Sequence, residues 1–182
     1  ALMKQRMEHL LDVVEFLSTR EVGCYFALTG QSAVLPPLYS AADFANFSVQ
    51  FDKPIADRIH EAGGILHVHC PGSMKEVLPL FLELGADVLH PIEAPPHGDI
   101  SPREAKGILR GKTCIEGNIS GEALSGASSS IIRDSVHLLI ESAFDDRTGL
   151  VVCPTHSPAN SPMTERCFKN YRAMIETTLN WK

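Results

Sequence analysis

The stretch GGILHVHCPGSMKEVLPLFLELGADVLHPIE, Gly63 to Glu93, decides the fold. Two short apolar runs, ILHVH (65–69) and DVLHPIE (87–93), flank a segment with helical spacing. Pro71-Gly72 turns the chain out of the first run. Ser73 is placed to cap a helix over Met74–Leu84, and Gly85 stops that helix as a C-cap glycine does. Strand, helix and strand in so short a span predict a parallel pair with its crossover helix.

The same alternation extends in both directions. Leu2 to Ser18 carries apolar residues at helical spacing (Leu10, Val13, Val14, Leu17). VGCYFALTG, from Val22, reads as a strand closed by Thr29-Gly30. After the loop QSAVLPPLYS, Ser40 is an N-cap with Asp43 in capping-box position. The helix from Ala41 runs towards Ala62, with a break or kink expected at Pro54. Beyond Glu93, the loop APPHGDI leads to the N-cap and N1 pair Ser101-Pro102 and a short helix, Arg103 to Leu109. KTCIEGN is the next strand, and a Gly/Ser-rich loop follows it. Ser128 to Phe144 is an amphipathic helix, GLVVCPT a fifth strand, HSPANSP a loop, and Met163 to about Leu179 a closing helix. One helix followed by five strand–helix units predicts a single α/β domain, residues 1–182, with a parallel sheet. An open doubly wound sheet and part of a (β/α)8 TIM barrel both fit. No GxGxxG follows any strand, which removes the main support for dinucleotide binding.

The chain has 182 residues, 44% hydrophobic and 21% charged, with a net charge of −6. This balance carries no nucleic-acid footprint and no polybasic membrane patch. Apolar runs fall far short of the roughly 18 residues that a membrane span needs. No basic n-region with an apolar h-region opens the sequence, so no signal peptide is expected. The five cysteines are odd in number and mostly lie in or beside strands, so a cytoplasmic protein is expected. The abrupt opening on a long amphipathic helix suggests a piece of something longer.

Polar residues gather at the carboxyl ends of the strands: His67 and His69, Glu93, Glu116 and Asn118, Cys153 and His156. Barrel enzymes place their chemistry there, and open sheets also bind ligands there. Side chains alternate along a strand, so His67 and His69 share one face while Leu66, Val68 and Cys70 share the other. Paired neutral imidazoles and a thiolate from Cys153 make a three-ligand zinc site with one open position. The alternative is a polar lining that hydrogen-bonds a substrate. Cys70 has the wrong parity, yet twisting at the strand end keeps it as a substitute ligand. Glu93 is a candidate acid/base or metal neighbour, or a cap for its loop. Asn118 and Glu116 are candidate substrate contacts, and His156 a candidate proton donor or anion-binding group. Asp145-Asp146-Arg147 precedes a strand and belongs to the opposite, structural end.

Taken together, these motifs resemble the uroporphyrinogen decarboxylase superfamily. The likeness is carried by the His-containing strand end with its glycine turn, LELGADVLHPIE, the PPHGD loop, the helix-borne Ala105-Lys106, EGNI, and the finish CPTHSPANSPMTERCFKNYRAMIE. PPLYSAADFANFSVQFDKPIADRIHEAGG is similar to the preceding βα unit. The resemblance implies a (β/α)8 barrel of which this chain holds about the last five units. One branch implies a metal-free decarboxylase of porphyrin biosynthesis, a lyase whose tetrapyrrole-holding residues come from strands not present here. The late histidine of that branch falls near His156, in a departing context. The other branch implies zinc-dependent methyltransferases that move a methyl group from a corrinoid to a thiol. Their His-x-Cys strand end corresponds here to His67-Val68-His69, and their distant cysteine to Cys153. That branch implies a small-molecule thiol substrate and a corrinoid protein partner. A third reading is an inactive binding fragment whose open sheet edges are closed in a homo-dimer.

Overall fold

A computed structural model of the chain describes residues 2–20, 23–158 and 162–182. The first strand's expected start at Val22, and residues 159–161 of the loop HSPANSP, lie outside them. Helix α1 (Leu2–Ser18) leads into β1 (Tyr25–Thr29), a 3-10 turn (Gln31–Val34), α2 (Ala41–Phe44), a π turn (Ala45–Val49) and α3 (Gln50–Glu61). There follow β2 (Ile65–His69), α4 (Leu78–Leu84), β3 (Val88–His90), α5 (Pro102–Leu109), β4 (Cys114–Glu116), α6 (Gly121–Gly126), α7 (Ser129–Ala143), β5 (Leu150–Val151) and α8 (Glu165–Leu179).

Local chemistry accounts for most of the boundaries. Ser40 and Ser101 each close a capping box, with Asp43 and Glu104 as the reciprocal acceptors. Ser128 and Thr164 cap α7 and α8. Pro54 does not break its helix; the irregularity is the wide π turn just before α3, and the chain stays helical through the proline. Helix α4 starts four residues later than Ser73 predicts. Asp99, from the PPHGD loop, accepts instead from the backbone N–H groups of Met74 (2.8 Å) and Lys75 (3.0 Å). Helix α6 occupies the stretch expected as a Gly/Ser loop, because Ser120 caps it and Leu124 anchors it in the core.

The five strands form one parallel sheet in the order β1-β2-β3-β4-β5. Its outer face is dry: Leu66, Val68, Leu89 and Ile115 are fully buried beneath the helices, and Phe44 packs on Phe81 with ring centroids 5.0 Å apart. The inner face carries Tyr25, His67, His69, His90 and Glu116, and is open. Tyr25, Ile65 and Val151 are exposed on it. Among the described residues β1 and β5 each pair on one side only, so the sheet is a curved open segment. No helix of the described residues is long and apolar enough to cross a membrane.

The amino-terminal ends of the strands are tied by side chains. Asp87 accepts from the Leu66 N–H at 2.7 Å, and the Thr113 hydroxyl donates to the Ala86 carbonyl at 2.7 Å. Lys106, fully buried, reaches Asp146 at 3.0 Å and the Thr148 carbonyl at 2.6 Å. Arg110 holds Asp145 and the other oxygen of Asp146. This is the structural end expected from the position of Asp145-Asp146.

Asp99 holds the loop after β2 against the loop after β3 through two charge-assisted bonds. Asp99→Ala is expected to cost about 2 kcal/mol in urea unfolding, and Asp99→Asn, which keeps an acceptor, clearly less. Equal and negligible costs for both variants would show that this tie does not hold the loops.

Candidate functional site

Parallel register builds the site. His69 and His90 are register partners on adjacent strands, so their rings stack, with centroids 5.0 Å apart. Their Nδ1 atoms are 2.8 Å apart, and His90 Nε2 lies 2.9 Å from the Pro154 carbonyl. A carbonyl oxygen only accepts, so Nε2 of His90 carries the proton. With both rings neutral, Nδ1 of His90 then holds the lone pair, and His69 Nδ1–H donates to it.

Glu116, at the end of β4, meets side chains from the start of β1, the middle of β2 and the segment just after β5. Its Oε2 accepts from the Tyr25 hydroxyl at 3.4 Å and lies 3.5 Å from His67 Nε2. Its Oε1 faces the Cys153 thiol at 3.6 Å. A ring nitrogen of His90, a carboxylate oxygen of Glu116 and Sγ of Cys153 all lie within 4.8 Å of one another. His67 Nδ1 is buried with no partner among the described residues. The cluster faces a cleft of about 540 Å³, completed by His67, His69, His156, Ser157 and Tyr171.

Burial disfavours the charged form of three groups that line this cleft, His67, His69 and Cys153. Burial lowers the pKa of His67 and of His69, against the pull of Glu116 on His67 and of Glu93 on His69. Burial, and then the Glu116 charge, push the Cys153 thiol up to about 12. A thiol in that state needs a cation beside it to ionise. One imidazole, one carboxylate and one thiolate are ordinary zinc donors, and three of them leave a coordination position open. The donor set therefore fits a zinc ion.

The expected residues fall in different places. Cys153 and Glu116 are in the cluster. His67 and His69 line the same cleft, His67 against Glu116 and His69 against His90. His156 stands exposed at the rim, its Nδ1 3.2 Å from the Thr155 hydroxyl and its Nε2 3.8 Å from Glu122. Glu93 is half-buried at the start of its loop, near enough to act on His69 but outside the cluster. Asn118 lines a separate pocket with Ala94, Ser101 and Leu138. Cys70 is fully buried in the outer core. His90, Tyr25 and Tyr171 were not among the candidates. His90 was legible in principle, because LHP in β3 repeats the strand-end histidine of β2 and a parallel pair in step sets the two side by side.

The sequence model for Uroporphyrinogen decarboxylase (URO-D) matches residues 24–180. No curated protein matches the chain. Among solved structures, the chain is similar to a methyltransferase from Methanosarcina mazei, with a TM-score of 0.72 and 19% sequence identity. The alignment covers 94% of this chain and 46% of that one, so the chain spans about half the length of its structural relative. At that identity the likeness is one of fold, and it agrees with a segment of a TIM-barrel-like architecture. The match over residues 24–180 takes in every strand and every residue of the cluster, and the chain belongs to the uroporphyrinogen decarboxylase family.

Proposed function

We propose that the chain carries the metal-binding, strand-end portion of a zinc-dependent methyltransferase that moves a methyl group from a corrinoid to a small thiol. The observation that supports this most is the convergence of His90, Glu116 and Cys153 on an open cleft. In this reading those three residues hold the ion, and further strands complete a (β/α)8 barrel around the exposed inner face. A corrinoid protein is then the methyl-donating partner. That the structural relative is a methyltransferase is compatible with this.

When bound, zinc would act as a Lewis acid that lowers the pKa of the acceptor thiol. The chain's own residues do the rest. The Pro154 carbonyl fixes the tautomer of His90 and so aims its Nδ1 lone pair. His69 Nδ1–H engages that lone pair, so a bound ion would take the place of this hydrogen bond. Glu116 shares its two oxygens between Cys153 on one side and Tyr25 and His67 on the other, which orients the thiol. His67 turns its Nε2 towards the carboxylate, while its buried Nδ1 has no partner among the described residues. Tyr171 and His156 border the cleft, where a small substrate would contact them.

Elemental analysis after zinc loading and dialysis tests the proposal. About one zinc per chain is expected. Cys153→Ser and His90→Ala should each lose it. The His67→Ala, His69→Ala double variant should retain it, because neither ring is a ligand in this reading and His69 only competes for the His90 lone pair. Loss of zinc in the double variant and in Cys153→Ser, with retention in His90→Ala, would make His67, His69 and Cys153 the ligand set. No metal in any of the proteins would sink the methyltransferase reading and favour a metal-free, tetrapyrrole-directed one.

A further inference from the structure

A second pocket, largely apolar with a polar floor, lies at the carboxyl end of β1. Thr29 and Gly30 form its edge, and Thr29 is the register partner of His69. It is therefore one strand away from the His-lined cleft, and its walls share no residue with it. The cavity holds about 480 Å³, a size ordinary for a small-molecule site. Met3, Val34, Tyr39 and Phe47 make an apolar wall. Phe47 is 52% exposed and Tyr39 45%, although both are large and aromatic.

Beneath this wall sit Gln31, Ser48 and Asp52. The Gln31 amide Nε2 donates to Asp52 Oδ2 at 3.0 Å, and the Ser48 hydroxyl donates to the same oxygen at 2.7 Å. Among the described residues the other carboxylate oxygen, Oδ1, has no partner. Gln31 is only 5% exposed, and its Oε1 is buried without a partner. The orientation of this amide follows from its neighbour: an NH2 must face the carboxylate, so the carbonyl oxygen is the atom left over. Asp52 therefore lines the pocket with one carboxylate oxygen unpartnered, while the Gln31 carbonyl oxygen is buried beside it, and among the described residues no Lys or Arg lines the cavity. Burial pushes the Asp52 carboxyl up against the lowering pull of Gln31 and Ser48, so its ionised form calls for a cation beside it. The wide π turn that supplies Phe47 and Ser48 shapes the wall, as such turns often do at functional sites.

We propose that this pocket binds a small organic ammonium group, whose N–H donors meet Asp52 Oδ1 while its apolar portion packs on Phe47 and Tyr39. A neutral amide would donate to that oxygen and leave the carboxylate without a countercharge. A bare metal ion would leave the aromatic wall unused. The site is independent of whether the histidine cleft holds a metal.

The test is an NMR titration of the metal-free protein with benzylammonium, and with benzyl alcohol as the uncharged analogue. Benzylammonium should produce saturable shifts at the backbone amides of Thr29–Val34 and Ser48. Benzyl alcohol should bind at least about tenfold more weakly. Asp52→Asn should lose a similar factor. Phe47→Ala, at a half-exposed position, should fold normally and weaken binding several-fold, which keeps the test decisive if Asp52→Asn does not fold. His90→Ala should bind the ammonium as the wild type does. Absence of saturable shifts at these residues, equal binding of the alcohol, full binding by Asp52→Asn, or loss of binding in His90→Ala would each overturn the proposal. Shifts reproduced by inorganic ammonium or sodium alone at the same concentration would also overturn it.

Discussion

Parallel pairing in step is the constraint on which the rest of this structure depends. Successive side chains on a strand point to opposite faces, so one register sorts the whole sequence into two surfaces. Leu66, Val68, Leu89 and Ile115 go outward and are sealed by the helices. His67, His69, His90 and Glu116 go inward together. A slip of one residue between β2 and β3 would bury imidazoles among Phe81 and Leu84 and place leucines in the cleft. The apolar outer face thereby fixes the geometry of the polar inner face, although the two surfaces never touch.

What the inner face then holds is a set of groups that satisfy one another incompletely. His90 is fully engaged, between Pro154 and His69. Glu116 serves three partners at long distances, from 3.4 to 3.6 Å. His67 keeps a buried nitrogen with nothing to bond. The opposite end of the sheet differs in kind. There Asp87, Thr113 and Lys106 make short bonds to backbone and carboxylate partners at 2.6 to 3.0 Å. One end of each strand is finished and the other is poised, as expected where stability and chemistry occupy opposite ends of a parallel sheet.

The sequence made the alternation of strands and helices legible because each element carries its own signals. ILHVH was bounded by Gly63-Gly64 and Pro71-Gly72, and is the strand Ile65–His69. Ser101-Pro102 and Gly85 marked helix ends that the structure shares. Long-range effects were not legible. Asp99 capping Met74 and Lys75 from another loop displaced the start of α4, and α6 formed in a composition that reads as loop. The site shows the same division. Cys153 and Glu116 stood out as polar residues at strand ends. The choice between His67 or His69 and His90 depends on ring orientation and on the Pro154 carbonyl, neither of which a period-two pattern contains. Gln31 and Asp52 gave no signal at all, since their meeting needs the 3-10 turn and the π turn to fold against each other.

The central claim is that His90, Glu116 and Cys153 converge to hold one metal ion with a thiolate in its shell. Cobalt(II) reports this directly, because a thiolate bound to it gives a charge-transfer band in the near ultraviolet. The account predicts that band in the cobalt-loaded protein and its disappearance in Cys153→Ser. Cobalt that binds without the band, or a band that survives in Cys153→Ser, would contradict it.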